Sequence, residues 1–155
     1  MEFHSLIDAL AERLGIAEGV SPDAEGVFRL GAEGVSVAFL EVPENRSLVM
    51  FSEVCELPEE GADALKTALL KENFMGRGAP DGAFSLSQEN RVVLHRYVDL
   101  EKTDADALLA LVENFLRRVL DWRNLVAEYG PFAWERVQRE REDLLEAERF
   151  HMNMV

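Results

Sequence analysis

The chain is poor in the residues that carry most protein chemistry. It has one cysteine, Cys55, and three histidines in 155 residues. A lone cysteine excludes an internal disulfide. His4, His95 and His151 stand far apart in sequence, none beside a second His or Cys at the spacing of a metal site, so no metal and no cofactor are expected. Basic residues are also scarce: 16 Lys and Arg face 30 Asp and Glu, a net charge of -14. That charge repels nucleic acid and anionic membranes over most of the surface and favours a basic or amphipathic partner. No apolar run approaches the roughly 20 residues needed to cross a bilayer. No basic segment followed by an apolar stretch opens the chain, so the expected location is the cytoplasm, with no nucleic-acid or membrane partner.

What is present is an ordinary core former. Hydrophobic residues make up 48% of the chain, enough for one domain, and small domains often bury further surface by pairing. The acidity lies mainly in the body, because the last 25 residues hold 4 basic and 6 acidic side chains.

Phe3, Leu6, Ile7, Leu10 and Leu14 recur at helical spacing, with Gly15 placed to stop the helix. Gly26–Leu30 and Val35–Val42, joined through Gly31–Gly34, read as a hairpin rich in β-branched residues. Leu48–Cys55 reads as a third strand, apolar on both faces at its start and therefore central or covered. Pro58 suits the first turn of a second helix, with Glu59, Glu60 and Asp63 at the positive end of its dipole. That helix runs through Leu65, Ala68, Leu69 and Glu72 into a Gly-rich loop, Met75–Gly82.

Ala83–Ser87 and Arg91–Val98, joined by a tight Glu89–Asn90 turn, read as a second hairpin. Thr103-Asp104-Ala105-Asp106 resembles a capping box opening a third helix through Leu108, Leu111, Val112, Phe115, Val119 and Trp122 to Val126. Beyond Gly130 and Pro131, helix formers continue with apolar residues too sparse for an independent core. The expected fold class is α+β, ordered α-β-β-β-α-β-β-α on a twisted antiparallel sheet, plus an extra C-terminal helical segment. The expected units are a domain over 1–129 and a helical extension over 130–155.

Motifs of catalysis do not emerge. Gly76-Arg77-Gly78 lacks the GK[ST] of a phosphate loop and follows a helix instead of a strand, so it reads as a turn. Cys55, inside an apolar strand, reads as a packing residue before it reads as a nucleophile. Carboxylates are too numerous to single out an acid/base pair, and most such residues form solvated surface. The chain is not expected to be an enzyme.

What remains is apolar surface, and its order carries a resemblance. The first-helix pattern Leu6–Gly15, the hairpin through Gly34-Val35-Ser36-Val37, and Leu57-Pro58 before the second helix belong to it. So do Leu69-Leu70-Lys71-Glu72-Asn73-Phe74, the Gly-rich loop into Ala83-Phe84-Ser85-Leu86, the strand through Arg96, and Phe115 with Trp122-Arg123. From Phe3 to about Val126 the chain resembles the class I type III secretion chaperones of the Tir-chaperone-like family, and departs from them after Gly130.

The resemblance implies an acidic homodimer that binds the N-terminal region of a secreted effector. It would keep that client extended and secretion-competent without ATP. It also implies a dimer contact through the second helix and the following strand, at Leu65, Leu69, Leu70, Phe84 and Leu86. Client grooves built by the first helix and the sheet would involve Phe3, Leu6, Leu10, Val37 and Phe39. The ordinary reading of each of these apolar residues is core. A non-secretory interaction or regulatory module of the same fold is the alternative function, favoured by a gene neighbourhood without secretion components.

Overall fold

A computed structural model describes residues 1–32, 34–74, 82–129 and 134–153. Helix α1 spans Phe3–Arg13 and strands β1 and β2 span Phe28–Ala32 and Val35–Val42. Strand β3 covers Ser47–Glu56, helix α2 Ala62–Glu72, and strands β4 and β5 Ala83–Leu86 and Arg91–Asp99. Helices α3, Ala105–Tyr129, and α4, Trp134–Asn153, complete the chain. The five strands form one antiparallel sheet in the order β1-β2-β3-β5-β4. β3 is central, as its two apolar faces predict.

Alternation along the strands sets what faces the helices. Val35, Val37 and Phe39 on β2, Leu48 and Met50 on β3, and Val92, Leu94 and Val98 on β5 are all buried. They join Phe3, Leu6, Ile7 and Leu10 of α1, Leu65 of α2, and Leu108, Val112, Phe115, Val119 and Trp122 of α3 in one core. The ring of Trp122 meets that of Phe84 edge-on at 4.8 Å, tying the C-terminal half of α3 to β4.

Local chemistry sets the ends of the helices. α1 stops where Gly15 takes a left-handed φ of 73°. The Gly15 and Ile16 amides then donate to the Glu12 and Ala11 carbonyls, both at 3.0 Å, as a Schellman turn requires.

Two helix starts differ from the sequence reading. α2 begins at Ala62 and not at Pro58, because the Leu57 amide still donates to the Asn90 carbonyl at 2.8 Å and Gly61 has φ 77°. The chain is therefore extended at Leu57 and turns at Gly61, leaving Glu59 and Glu60 outside the first turn. The cap of α3 is Asp104, whose carboxylate accepts the Ala107 amide at 2.8 Å, and not Thr103. The helix starts one residue later than a box on Thr103 needs, which frees Asp106 to bind the guanidinium of Arg13 on α1. Met75–Asp81, most of the Gly-rich loop, lie outside the described residues.

Candidate functional site

Among the described residues, two apolar surfaces border the sheet outside the core. The first lies between α2 and β4. Leu57, Lys66, Leu69, Leu70, Asn73, Phe84, Ser85 and Leu86 line a groove of about 250 Å³ that is almost wholly apolar. Leu70 is 71% exposed and Leu86 44%, and Phe74 beside the groove is 65% exposed.

The groove depends on Asn73, the residue after α2. Its carboxamide donates to the Phe84 carbonyl and accepts from the Phe84 amide, both at 2.8 Å. These are the two bonds a neighbouring strand would make, so Asn73 fixes the end of α2 against β4 and closes that edge of the sheet at Phe84. Behind the groove, the carboxylate of Glu72 lies 3.6 Å from the guanidinium of Arg118 on α3.

The second surface is the face of the sheet turned away from the helices. Pairing places Leu40 beside Val49, Val49 beside Tyr97, and Phe51 between Ala38 and His95. Leu40, Val49, Phe51, Val93 and His95 are half-buried and Tyr97 is exposed, and no described element covers them. Ser85 and His95 lie side by side there, with Oγ and Nδ1 3.1 Å apart. At the far edge of the sheet, β1 has a strand on one side only.

The residues singled out from sequence divide between interior and surface. Phe3, Leu6, Leu10, Val37 and Phe39 are all in the core. Of the five dimer candidates, Leu65 is deep in the core, while Leu69, Leu70, Phe84 and Leu86 come together on the groove. Sequence reasoning passed over the outer sheet face and, beyond its place in the Leu69–Phe74 motif, the role of Asn73. A signal for the face existed in the double-sided apolarity of β3 and the imperfect alternation of β5. Asn73 gave none, since its partner lies 11 residues away.

Cys55 follows the bulge in β3 between Glu53 and Cys55 and packs against the core. Burial pushes its thiol up to about 11, with Glu53 adding to the effect. Arg123 of α3 clamps the same bulge, donating to the Glu53 carbonyl at 2.7 Å and the Gly34 carbonyl at 3.0 Å.

Residues 5–123 match the model of the Tir chaperone protein (CesT) family, about three quarters of the chain. The chain belongs to this family. Among solved structures, a chain of the ExsC–ExsE complex shares the fold with a TM-score of 0.68 and 23% identity, covering 81% of this chain and 96% of that one. The complex of the Yersinia pestis type III secretion chaperone SycH with a fragment of YscM2 gives 0.60 and 18%, covering 78% and 99%. The ExoU–SpcU complex of the Pseudomonas aeruginosa type III secretion system gives 0.61 and 18%, covering 77% and 96%. No curated protein matches.

The family match takes in most of α1, the whole sheet, α2 and most of α3, and it ends before α4 begins. Both open surfaces thus lie within the residues matched to the Tir chaperone family, and α4 lies outside them. No described helix is long and apolar enough to cross a membrane.

Proposed function

We propose that this chain is a chaperone that binds the N-terminal region of a secreted effector and keeps it extended and secretion-competent, without ATP and without catalysis. The observation that carries this reading is the uncovered apolar face of the sheet beside the free edge of β1, in a chain of the Tir chaperone family. An extended client can add a strand to an open edge through backbone hydrogen bonds, while shallow apolar pockets take alternate side chains. β4 is closed at Phe84 by Asn73, which leaves β1 as the edge for such a strand. Leu40, Val49, Phe51 and Tyr97 then supply the apolar contact.

Phe3, Leu6, Leu10, Val37 and Phe39 hold the shape of this surface from inside. Ordering a disordered client costs on the order of 2–5 kcal/mol or more, so a long segment must be wrapped. A homodimer joined through the α2/β4 groove offers two such surfaces, with Leu69, Leu70, Phe84 and Leu86 at the contact and Leu65 behind them. Acidic charge adds solubility and draws basic clients.

Co-expression with the products of adjacent genes tests the reading. The expected result is one secreted protein recovered through its N-terminal segment, with Phe51→Asp abolishing recovery while leaving the fold intact. Stable binding only to a folded domain would overturn the mechanism, and a partner that is never secreted would favour a regulatory module.

A further inference from the structure

One residue on the outer face of the sheet can change its charge near neutral pH. His95 is enclosed there on all sides of its strand: β3 sets Phe51 opposite it, β4 sets Ala83 opposite it, and Val93 and Tyr97 precede and follow it on the same face of β5. The Tyr97 ring meets the imidazole edge-on at 6.1 Å. His95 is half-buried, its Nδ1 3.1 Å from Ser85 Oγ, which lies 3.5 Å from the Val93 carbonyl.

That hydroxyl serves both charge states of the ring. A neutral imidazole can accept the Ser85 proton at Nδ1. In an imidazolium both nitrogens donate, so Nδ1 donates to Ser85 Oγ and the hydroxyl turns its own proton to Val93. Charges elsewhere on the face are already engaged. On β3 the next outward residue is Glu53, held by Arg91 of β5, which also holds Glu56. Past Tyr97 on β5, Asp99 pairs with Lys102, and β4 brings only Ala83 and Ser85 to this face. While water reaches the ring, either charge state is tolerated. Once an apolar segment covers it, the imidazolium keeps one hydroxyl and no carboxylate.

We propose that His95 links client binding to pH: the outer face takes an extended apolar segment while the imidazole is neutral and releases it when the ring is protonated. The inference rests on the client reading above. Covering a charge without a partner is costly, so the covered ring holds its proton less well than the open one. By linkage, the proton then favours the client-free state and affinity falls in acid. Histidines take up their proton between about pH 5 and 8, so a segment that binds only the neutral form should lose up to about tenfold in affinity from pH 7.5 to pH 5.5.

The probe is the N-terminal segment recovered in the co-expression experiment, titrated against the full chain by calorimetry at both pH values. Whatever affinity His95→Gln has at pH 7.5, its ratio between the two pH values should be smaller than the parent's by about fivefold to tenfold, since Gln carries no titrating proton. In the parent, the His95 ring signal in proton NMR should shift between pH 7.5 and 5.5 in the free chain and stay in its neutral position with the segment at saturation. No binding at pH 7.5 overturns the client reading and the proton link with it. The same ratio in the parent and in His95→Gln overturns the link alone, as does binding that tightens in acid. A ring that still takes up its proton beneath the bound segment overturns it as well, without recourse to the variant.

Discussion

Asn73 replaces a sheet neighbour with one side chain. Removing its carboxamide in Asn73→Ala leaves the Phe84 amide and carbonyl without their partners at a part-buried site. The cost of stranding such groups is about 1–3 kcal/mol each when fully buried and falls at the lower end at this part-buried site, so we expect a loss of about 2–4 kcal/mol in denaturant unfolding and a looser groove. A loss below about 0.5 kcal/mol would mean that water takes over both bonds.

Gly82 has a similar local necessity, because a Cβ there would come within 2.5 Å of the His95 carbonyl oxygen. Cys55 gives a chemical reading of burial. With its thiol pushed up to about 11, alkylation at pH 7–8 should be far slower in the folded chain than in urea and should climb with pH past the usual cysteine range. Equal rates folded and unfolded would show that the thiol is not buried. Of these residues, only the packing role of Cys55 was legible in sequence, because strand position predicts burial. Pairing between Asn73 and Phe84 depends on how α2 and β4 meet, which no local pattern states.

At the scale of elements, the helix periodicities of α1 and α3 and the alternation in β4, less cleanly in β5, were readable because burial acts on every third or second residue. The starts of α2 and α3 were not. Each is decided by a contact from elsewhere: Leu57 is held by Asn90 at the end of the β5 hairpin, and Asp106 faces Arg13. That last pair fastens α1 to α3, and the Arg13 guanidinium holds the Asp106 carboxyl below the usual carboxylate range. A carboxyl with a lowered folded-state value stabilises the fold above its unfolded value, near 3.9, and loses that effect as pH falls through the folded value. Asp106→Asn should therefore be less stable than the parent at pH 7, with the gap closing as the solution is acidified below about pH 3. A gap that persists unchanged in acid would place the stabilisation in packing and not in charge. The pair is exposed, so the expected gap at pH 7 is small.

Across the whole molecule, the two open surfaces sit at different parts of one sheet. The groove is at β4, one edge; the surface proposed for the client runs over the outer face towards β1, the other edge. The existence of apolar surface beyond the core was legible in the apolar residues of the second helix and second hairpin. Which of them would be interior was not, since Leu65 and Leu70 share one helix and differ only in the side they present.

Separation in space predicts separation in effect. Leu70→Asp places a charge in the groove and should convert the proposed dimer to monomers, yet each monomer should still bind a short N-terminal client segment, since β1 and the outer face are untouched. Phe51→Asp should do the reverse, sparing the dimer and losing the segment. A long client that spans both copies should lose affinity in both variants, and more in Leu70→Asp than a short one does, because two linked contacts hold tighter than either alone. Titration of short and long client segments against both variants, followed by calorimetry, decides this. If Leu70→Asp abolished binding of the short segment as well, the client surface would have to include the groove, and assembly and client binding would be one event.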